Sequence, residues 1–256
     1  LRLTYSGERA AVVAITVGDD DRFDFHWTFP EGEPITVYPR LNVRAPAEEH
    51  FYGLGETFDH VDHRGQVRAM QIEPMGLESA YNEAHVPIPL LIGTSGWGLY
   101  VDSLRPGVFN VAEAEEDLVR VTYGLGEDAS LGFRFHLIAE AHPLDVTRHY
   151  YELTGYPGQV APWALGPLIW RDEVDGQAVV EDDLQRIRDL DLATTGYWID
   201  RPYASAVNSF DFEPADYADP AAMMELAEDL GYGMALWHTP YVDPDDTESL
   251  GLYDHA

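Results

Sequence analysis

Two periodicities divide the chain. From Arg9 to about residue 140, apolar residues fall in short runs with alternation of two, broken by Gly, Pro and Asp. Arg9 to Val17 and Arg22 to Phe29 read as strands joined by the turn composition Gly18-Asp19-Asp20-Asp21. Pro89 to Thr94, Gly98 to Asp102, Leu118 to Tyr123 and Gly132 to Ala139 read the same way. Short strands at this spacing predict an antiparallel β-sandwich with one polar face. Pro143 to Thr154 then reads as a helix, with Leu144, Val146, Tyr150, Tyr151 and Leu153 available to pack. Gly155-Tyr156-Pro157-Gly158 ends it and marks a boundary.

After Pro162 the period changes. Ala164 to Trp170, Thr195 to Ile199 and Gly233 to Trp237 are apolar runs of strand length. Between them, Val179 to Leu190 carries Val180, Leu184, Ile187 and Leu190 at helical spacing. Asp219 to Leu230 turns Met223, Met224, Leu226, Ala227 and Leu230 inward, with Pro220 in its first turn and Gly231 as its stop. Strand and helix in alternation predict parallel β/α construction. Three such units make either a small open sheet or part of an eight-stranded barrel. The expected organisation is a sandwich over 1–142, a helical linker over 143–161 and β/α units over 162–256.

Composition then narrows the function. In 256 residues there are 46 Asp and Glu against 15 basic residues, a net charge of −31, and every basic residue is Arg. Such a surface repels phosphate backbones and anionic lipid, so neither nucleic acid nor membrane is expected as a partner. No stretch approaches the ~20 consecutive apolar residues of a membrane span. The acidic residues are scattered, as at Asp19 to Asp21, Glu113 to Asp117 and Asp243 to Asp246. That scatter fits adaptation to high salt better than a cation-binding surface, because no cluster has metal-ligand order. With no cysteine, disulfides, thiolate metal sites and Cys nucleophiles are excluded. The chain opens at Leu1 without Met and without a basic region leading into an apolar run. No signal peptide is read there, a cytoplasmic location is expected, and the N-terminus reads as trimmed.

In parallel β/α folds the chemistry sits at the C-terminal strand ends. Here those ends are Trp170-Arg171-Asp172-Glu173, Trp198-Ile199-Asp200-Arg201-Pro202-Tyr203 and Trp237-His238-Thr239-Pro240-Tyr241. Each joins an indole to polar groups. That suits a sugar, whose apolar face stacks on an aromatic ring while its hydroxyls take charged partners. Every such residue also has a structural alternative. Trp170 and Trp237 fill the top of a core as readily, an Asp200–Arg201 ion pair is the weaker reading of that aspartate, and His238 reads better as a hydrogen-bonded core histidine than as a catalytic one. Glu56, in Tyr52-Gly53-Leu54-Gly55-Glu56, reads better as a turn carboxylate than as a substrate ligand.

Taken in order, these segments resemble glycoside hydrolase family 31. Phe51-Tyr52-Gly53-Leu54-Gly55-Glu56-Thr57-Phe58, followed by Gly65-Gln66, is similar to the family's YGLGE segment. Ala80-Tyr81-Asn82, Val86 to Pro89 and Gly96-Trp97-Gly98-Leu99-Tyr100 resemble its next stretch. Trp163-Ala164-Leu165-Gly166 looks like the start of its barrel. Tyr197 to Asp200, Phe210-Asp211-Phe212 and Tyr217 to Pro220 resemble the second strand and its loop, and Ala235 to Val242 the third strand.

The resemblance implies a sandwich followed by the first part of a (β/α)8 TIM barrel. It implies a retaining, exo-acting α-glycosidase working by double displacement, with no cofactor and an α-glycoside as partner. Its nucleophile and general acid/base lie after the third strand, so the resemblance assigns no catalytic residue here and leaves the 256 residues inactive alone. Asp200 matches the family's substrate-binding Asp, and Trp237 a position lining the same pocket. Arg171 and Trp170 match the first strand end less closely, and His238 completes the substrate-binding set. The chain departs from the family at Arg201-Pro202, at His238 and at Arg68-Ala69-Met70-Gln71-Ile72-Glu73, which opens xylosides and galactosides beside glucosides. A non-catalytic carbohydrate-binding protein on the same fold, or an acidic structural protein, is the alternative.

Overall fold

The structure, a computed structural model, describes residues 2–4, 10–18, 21–28, 38–71, 86–206 and 209–238. Expectations that rest on Arg9, Asp19, Asp20, Phe29, Ile72 to Asn82 or the residues from Thr239 onward lie outside these. The chain divides into two compact units, Leu1–Pro157 and Gly158–Ala256.

Among the described residues the first unit is built of antiparallel strands, with a 3-10 turn at Gly126–Leu131 and a helix at its end. Its strands are β1 (Arg2–Thr4), β2 (Ala10–Val17), β3 (Arg22–Thr28), β4 (Arg40–Arg44), β5 (Phe51–Glu56), β6 (Gln66–Met70), β7 (Val86–Gly93), β8 (Trp97–Asp102), β9 (Gly107–Val111), β10 (Leu118–Tyr123) and β11 (Phe133–Ile138). Seven form one sheet in the order β1-β2-β3-β11-β8-β7-β5, and four form another in the order β4-β10-β9-β6. Phe51, Leu91, Leu99 and Phe133 of the first sheet bury against Phe109, Val111, Val119 and Val121 of the second, which makes the predicted sandwich. β5 carries a bulge between Gly53 and Gly55 against β7. Both glycines have positive φ, +104° and +89°, and a Cβ at either would strike the carbonyl oxygen of Leu90 or Val86. The YGLGE segment is therefore a strand that only glycine lets pass so close to its neighbour.

Helix α1 (Pro143–Thr154) occupies the predicted span. It packs on this unit: Val146 is buried with Leu90 and Ile138. The buried polar member of its inner face is His149, whose ring nitrogens lie 2.9 Å from Glu140 and 3.2 Å from Glu152. Leu144, expected to pack, is exposed.

The second unit alternates parallel strands and helices: β12 (Leu168–Arg171), α2 (Gln177–Asp189), β13 (Gly196–Ile199), α3 (Pro220–Asp229) and β14 (Gly233–Leu236). Its sheet runs β12-β13-β14, parallel and in register, with Trp198 opposite Trp170 on one side and Ala235 on the other. Side chains alternate across a strand. Tyr197, Ile199, Ile169 and Leu236 therefore face Val180, Leu184, Met223 and Ala227 of the two helices, while Trp170 and Trp198 face the other way. α3 starts at Asp219, whose carboxylate accepts the backbone N–H of Ala222 at 3.1 Å. The apolar run Ala164 to Trp170 is not one strand. Pro162–Leu165 forms a 3-10 turn, and the strand begins only after Pro167. The Trp163 ring in that turn lies where a Cβ on Gly233 would sit, and at Gly196 a Cβ would meet the Leu168 side chain and the Gly233 carbonyl first.

Candidate functional site

The site is built from the C-terminal ends of β12, β13 and β14. Asp200 follows β13 directly and is 8% exposed. Its backbone N–H donates to Arg171 O at 3.1 Å, and its own carbonyl accepts from Tyr203 N at 3.3 Å, so strand end and 3-10 turn hold it on both sides. Across the sheet, the indole N–H of Trp170 donates to Oδ2 of Asp200 at 2.7 Å. Bonds from a full donor to a carboxylate are among the stronger neutral-to-charged contacts. Trp170 and Trp198 lie with ring centroids 6.5 Å apart at 46°. Trp237 continues β14 and is half-buried, its backbone N–H bonded to Ile199 O at 3.0 Å.

Not every predicted residue joins this group. Arg171 lies on the alternate side of β12, and its Nε pairs with Asp183 of α2 at 3.1 Å. Asp183 also accepts from the Tyr197 hydroxyl at 2.7 Å. Burial, with this carboxylate beside it, pushes the Tyr197 phenol well above its ordinary range, so it acts as a donor. His238 is exposed at the end of β14. Its ring nitrogens stand 3.1 and 3.2 Å from the Tyr203 hydroxyl, and its ring is 4.4 Å from that of Phe210. Phe210 has φ +62° and an exposed side chain. Burial raises the Tyr203 phenol. Asp172, Glu173 and Asp211 are exposed. Glu56, at the end of β5, is also exposed.

Trp198 stands among the strand-end indoles read from the sequence but not in the substrate-binding set, and Phe210 is in neither. The signal for Trp198 was present: it stands two residues before Asp200 and so shares its face. No sequence signal announces Phe210, because its place depends on the Ala204–Phe212 bridge that folds its loop back.

Chemically, a nearly buried carboxylate beside an exposed indole offers hydrogen-bond acceptors next to an apolar face. Retaining hydrolysis takes two carboxyl groups about 5–5.5 Å apart. Among the described residues of this unit, Asp200 is the buried acid. No three His, Cys, Asp or Glu side chains among the described residues stand together to hold a metal ion.

Residues 4–110 match the Glycosyl hydrolase 31 N-terminal galactose mutarotase-like domain, and residues 157–256 the Glycosyl hydrolases family 31 TIM-barrel domain. The chain belongs to glycosyl hydrolase family 31. Its sandwich and its β/α units are therefore the N-terminal domain and the opening of the barrel domain of that family. Curated relatives within reach include an isomaltosyltransferase of Sporosarcina globispora, 23% identical over 80% of this chain and 21% of its own length. An alpha-glucosidase of Saccharolobus solfataricus is 26% identical over 76% of this chain and 27% of its own. The chain thus spans about a quarter of these relatives. Among solved structures, a cycloalternan-forming enzyme from Listeria monocytogenes, in complex with a pentasaccharide substrate, superposes with a TM-score of 0.77 at 16% identity, over 99% of this chain and 32% of that one. The family 31 dextranase of Flavobacterium johnsoniae, complexed with isomaltotriose, superposes with a TM-score of 0.72 at 17% identity, over 92% of this chain and 32% of that one. These likenesses carry the fold.

Proposed function

We propose that the chain forms the sugar-holding side of the pocket of a retaining α-glycoside hydrolase. The observation that carries this is Asp200, nearly buried at the end of β13 and fixed by the Trp170 indole. In this reading Asp200 accepts hydroxyls of the sugar at the cleavage site, and Trp170 and Trp237 wall it. The nucleophile and general acid/base stand on barrel strands that follow β14. The nucleophile attacks the anomeric carbon as the acid protonates the departing oxygen, and water then releases the sugar from the covalent intermediate with net retention. The 256 residues alone are expected to give no turnover.

An α-glucosyl unit, in particular an isomaltosyl one, is the substrate favoured here. Support comes from the Sporosarcina relative, named an isomaltosyltransferase, and from the dextranase solved with isomaltotriose. An alpha-xylosidase of Emericella nidulans, 26% identical over 76% of this chain and 24% of its own length, keeps α-xylosides as the next candidates. The test is proton NMR of the first product formed by the intact protein from an aryl α-glucoside. The α-anomer appearing first supports double displacement. The β-anomer appearing first rejects it, and binding without turnover makes the protein a carbohydrate binder.

A further inference from the structure

Trp170 stands in two environments. Its ring edge is committed, since the single indole donor points at Oδ2 of Asp200 from 2.7 Å. Its body is open, with 57% of the residue exposed, although Asp200 itself is 8% exposed. The neighbouring Trp198 ring is tilted by 46° at 6.5 Å, so it buttresses Trp170 and does not cover it as a parallel stack would. An indole N–H donates only, while a carboxylate accepts about four hydrogen bonds. The bond from Trp170 therefore orients the Oδ2 edge of the carboxylate, and a carboxylate has more acceptor sites than this donor fills. The in-register pairing of Trp170 with Trp198, two residues before Asp200, places ring and carboxylate on one face of the sheet. The spacing between an exposed aromatic face and an accepting oxygen is then tied to the Trp170 side chain through its bond to Oδ2.

We propose that Trp170 is a positioning and specificity residue. Its N–H holds Asp200 in the orientation that accepts pyranose hydroxyls, and its exposed face takes the apolar C–H face of the same sugar. Selection follows from the fixed spacing: a pyranoside needs both an unsubstituted apolar face and a hydroxyl at the edge that reaches Asp200. This rests on the reading of Asp200 as a sugar ligand.

A double-mutant cycle in the intact protein tests it, with methyl α-glucoside and isomaltose as titrants in calorimetry. Trp170→Phe keeps a ring and loses the N–H; it is expected to weaken binding about 5- to 10-fold. Asp200→Asn is expected to weaken it at least about 10-fold. The double variant is expected within about 2-fold of Asp200→Asn alone, because Trp170 acts through Asp200. Trp170→Ala should lose affinity beyond Trp170→Phe, and saturating sugar should change an indole emission component that Trp170→Phe lacks. Additive losses, or full affinity in Trp170→Phe, overturn the positioning role while leaving Asp200 a ligand. Full affinity in Asp200→Asn overturns the underlying reading and this inference with it.

Discussion

Nε of Arg68 lies 3.1 Å from Nδ1 of the buried His63, while the two Nη atoms of the same guanidinium reach Asp59 at 2.9 Å each. A guanidinium only donates, so Nδ1 accepts and the ring proton sits on Nε2, which donates to Gly53 O at 2.9 Å. His63 is thereby locked as a neutral tautomer that ties the β5 bulge to the following loop.

Burial, aided by the Arg68 charge, pushes the His63 pKa below its ordinary value, against the pull of its bond to Gly53. The unfolded chain therefore takes up this proton first, near pH 6.5. Stability from this group is complete above that pH and falls as pH drops toward the lower native pKa. Urea unfolding at pH 7.5 and 5.5 should show a smaller loss in His63→Gln than in the parent. An equal loss in both would remove His63 from the account.

Glycine is required at 55 by both φ and space, and at 65 by φ alone, +77° with nothing within 4 Å. Gly65→Ala is expected to cost about 1 kcal/mol, the left-handed penalty by itself. Gly55→Ala should cost well over that, about 3 kcal/mol or failure to fold, since β7 must move. Comparing the two urea midpoints checks the difference; equal costs would contradict the bulge geometry.

In the second unit, Arg188 bonds Leu230 O at 2.8 Å and Thr194 O at 2.9 Å, with its guanidinium 3.7 Å from the Tyr232 ring centroid. It closes the C-terminal end of α3 and the turn after α2 at once. Arg188→Ala is expected to destabilise this unit by about 2–3 kcal/mol, and Arg188→Lys to recover little, because the planar fork is what meets several carbonyls. Thermal melts of the three proteins decide it.

The net charge of −31 with no Lys motivates a salt-adaptation hypothesis. Self-repulsion is screened within ~3 Å at 1 M salt, so the melting temperature should rise markedly between low and multimolar KCl. Equal melting temperatures in both would count against it.

The strand–helix order was readable because each element repeats its own period, and α1 was found at its observed span. On its inner face Val146 and Tyr150 pack as expected, but Leu144 is exposed and His149 is buried: a histidine between two carboxylates can be buried where a leucine is not, and the partners Glu140 and Glu152 declare themselves only once the helix has formed. β1, β4, β5, β6 and β9 are not read from the sequence, because each is a run of three to six residues with at most three apolar positions, too little to signal a strand without its neighbours. At the site, Trp170 and Asp200 meet across 30 residues through strand register. Residue parity already separates Arg171 from them, since adjacent residues on a strand face opposite ways.

The central claim is that Asp200 holds a sugar. Calorimetric titration of the intact protein with isomaltose, beside its Asp200→Asn variant, tests it most directly. Loss of the charged acceptor is expected to cost about 1.5–3 kcal/mol of binding, roughly 10- to 150-fold in affinity, in a variant that still melts cooperatively. Equal affinity in the two proteins would contradict the account.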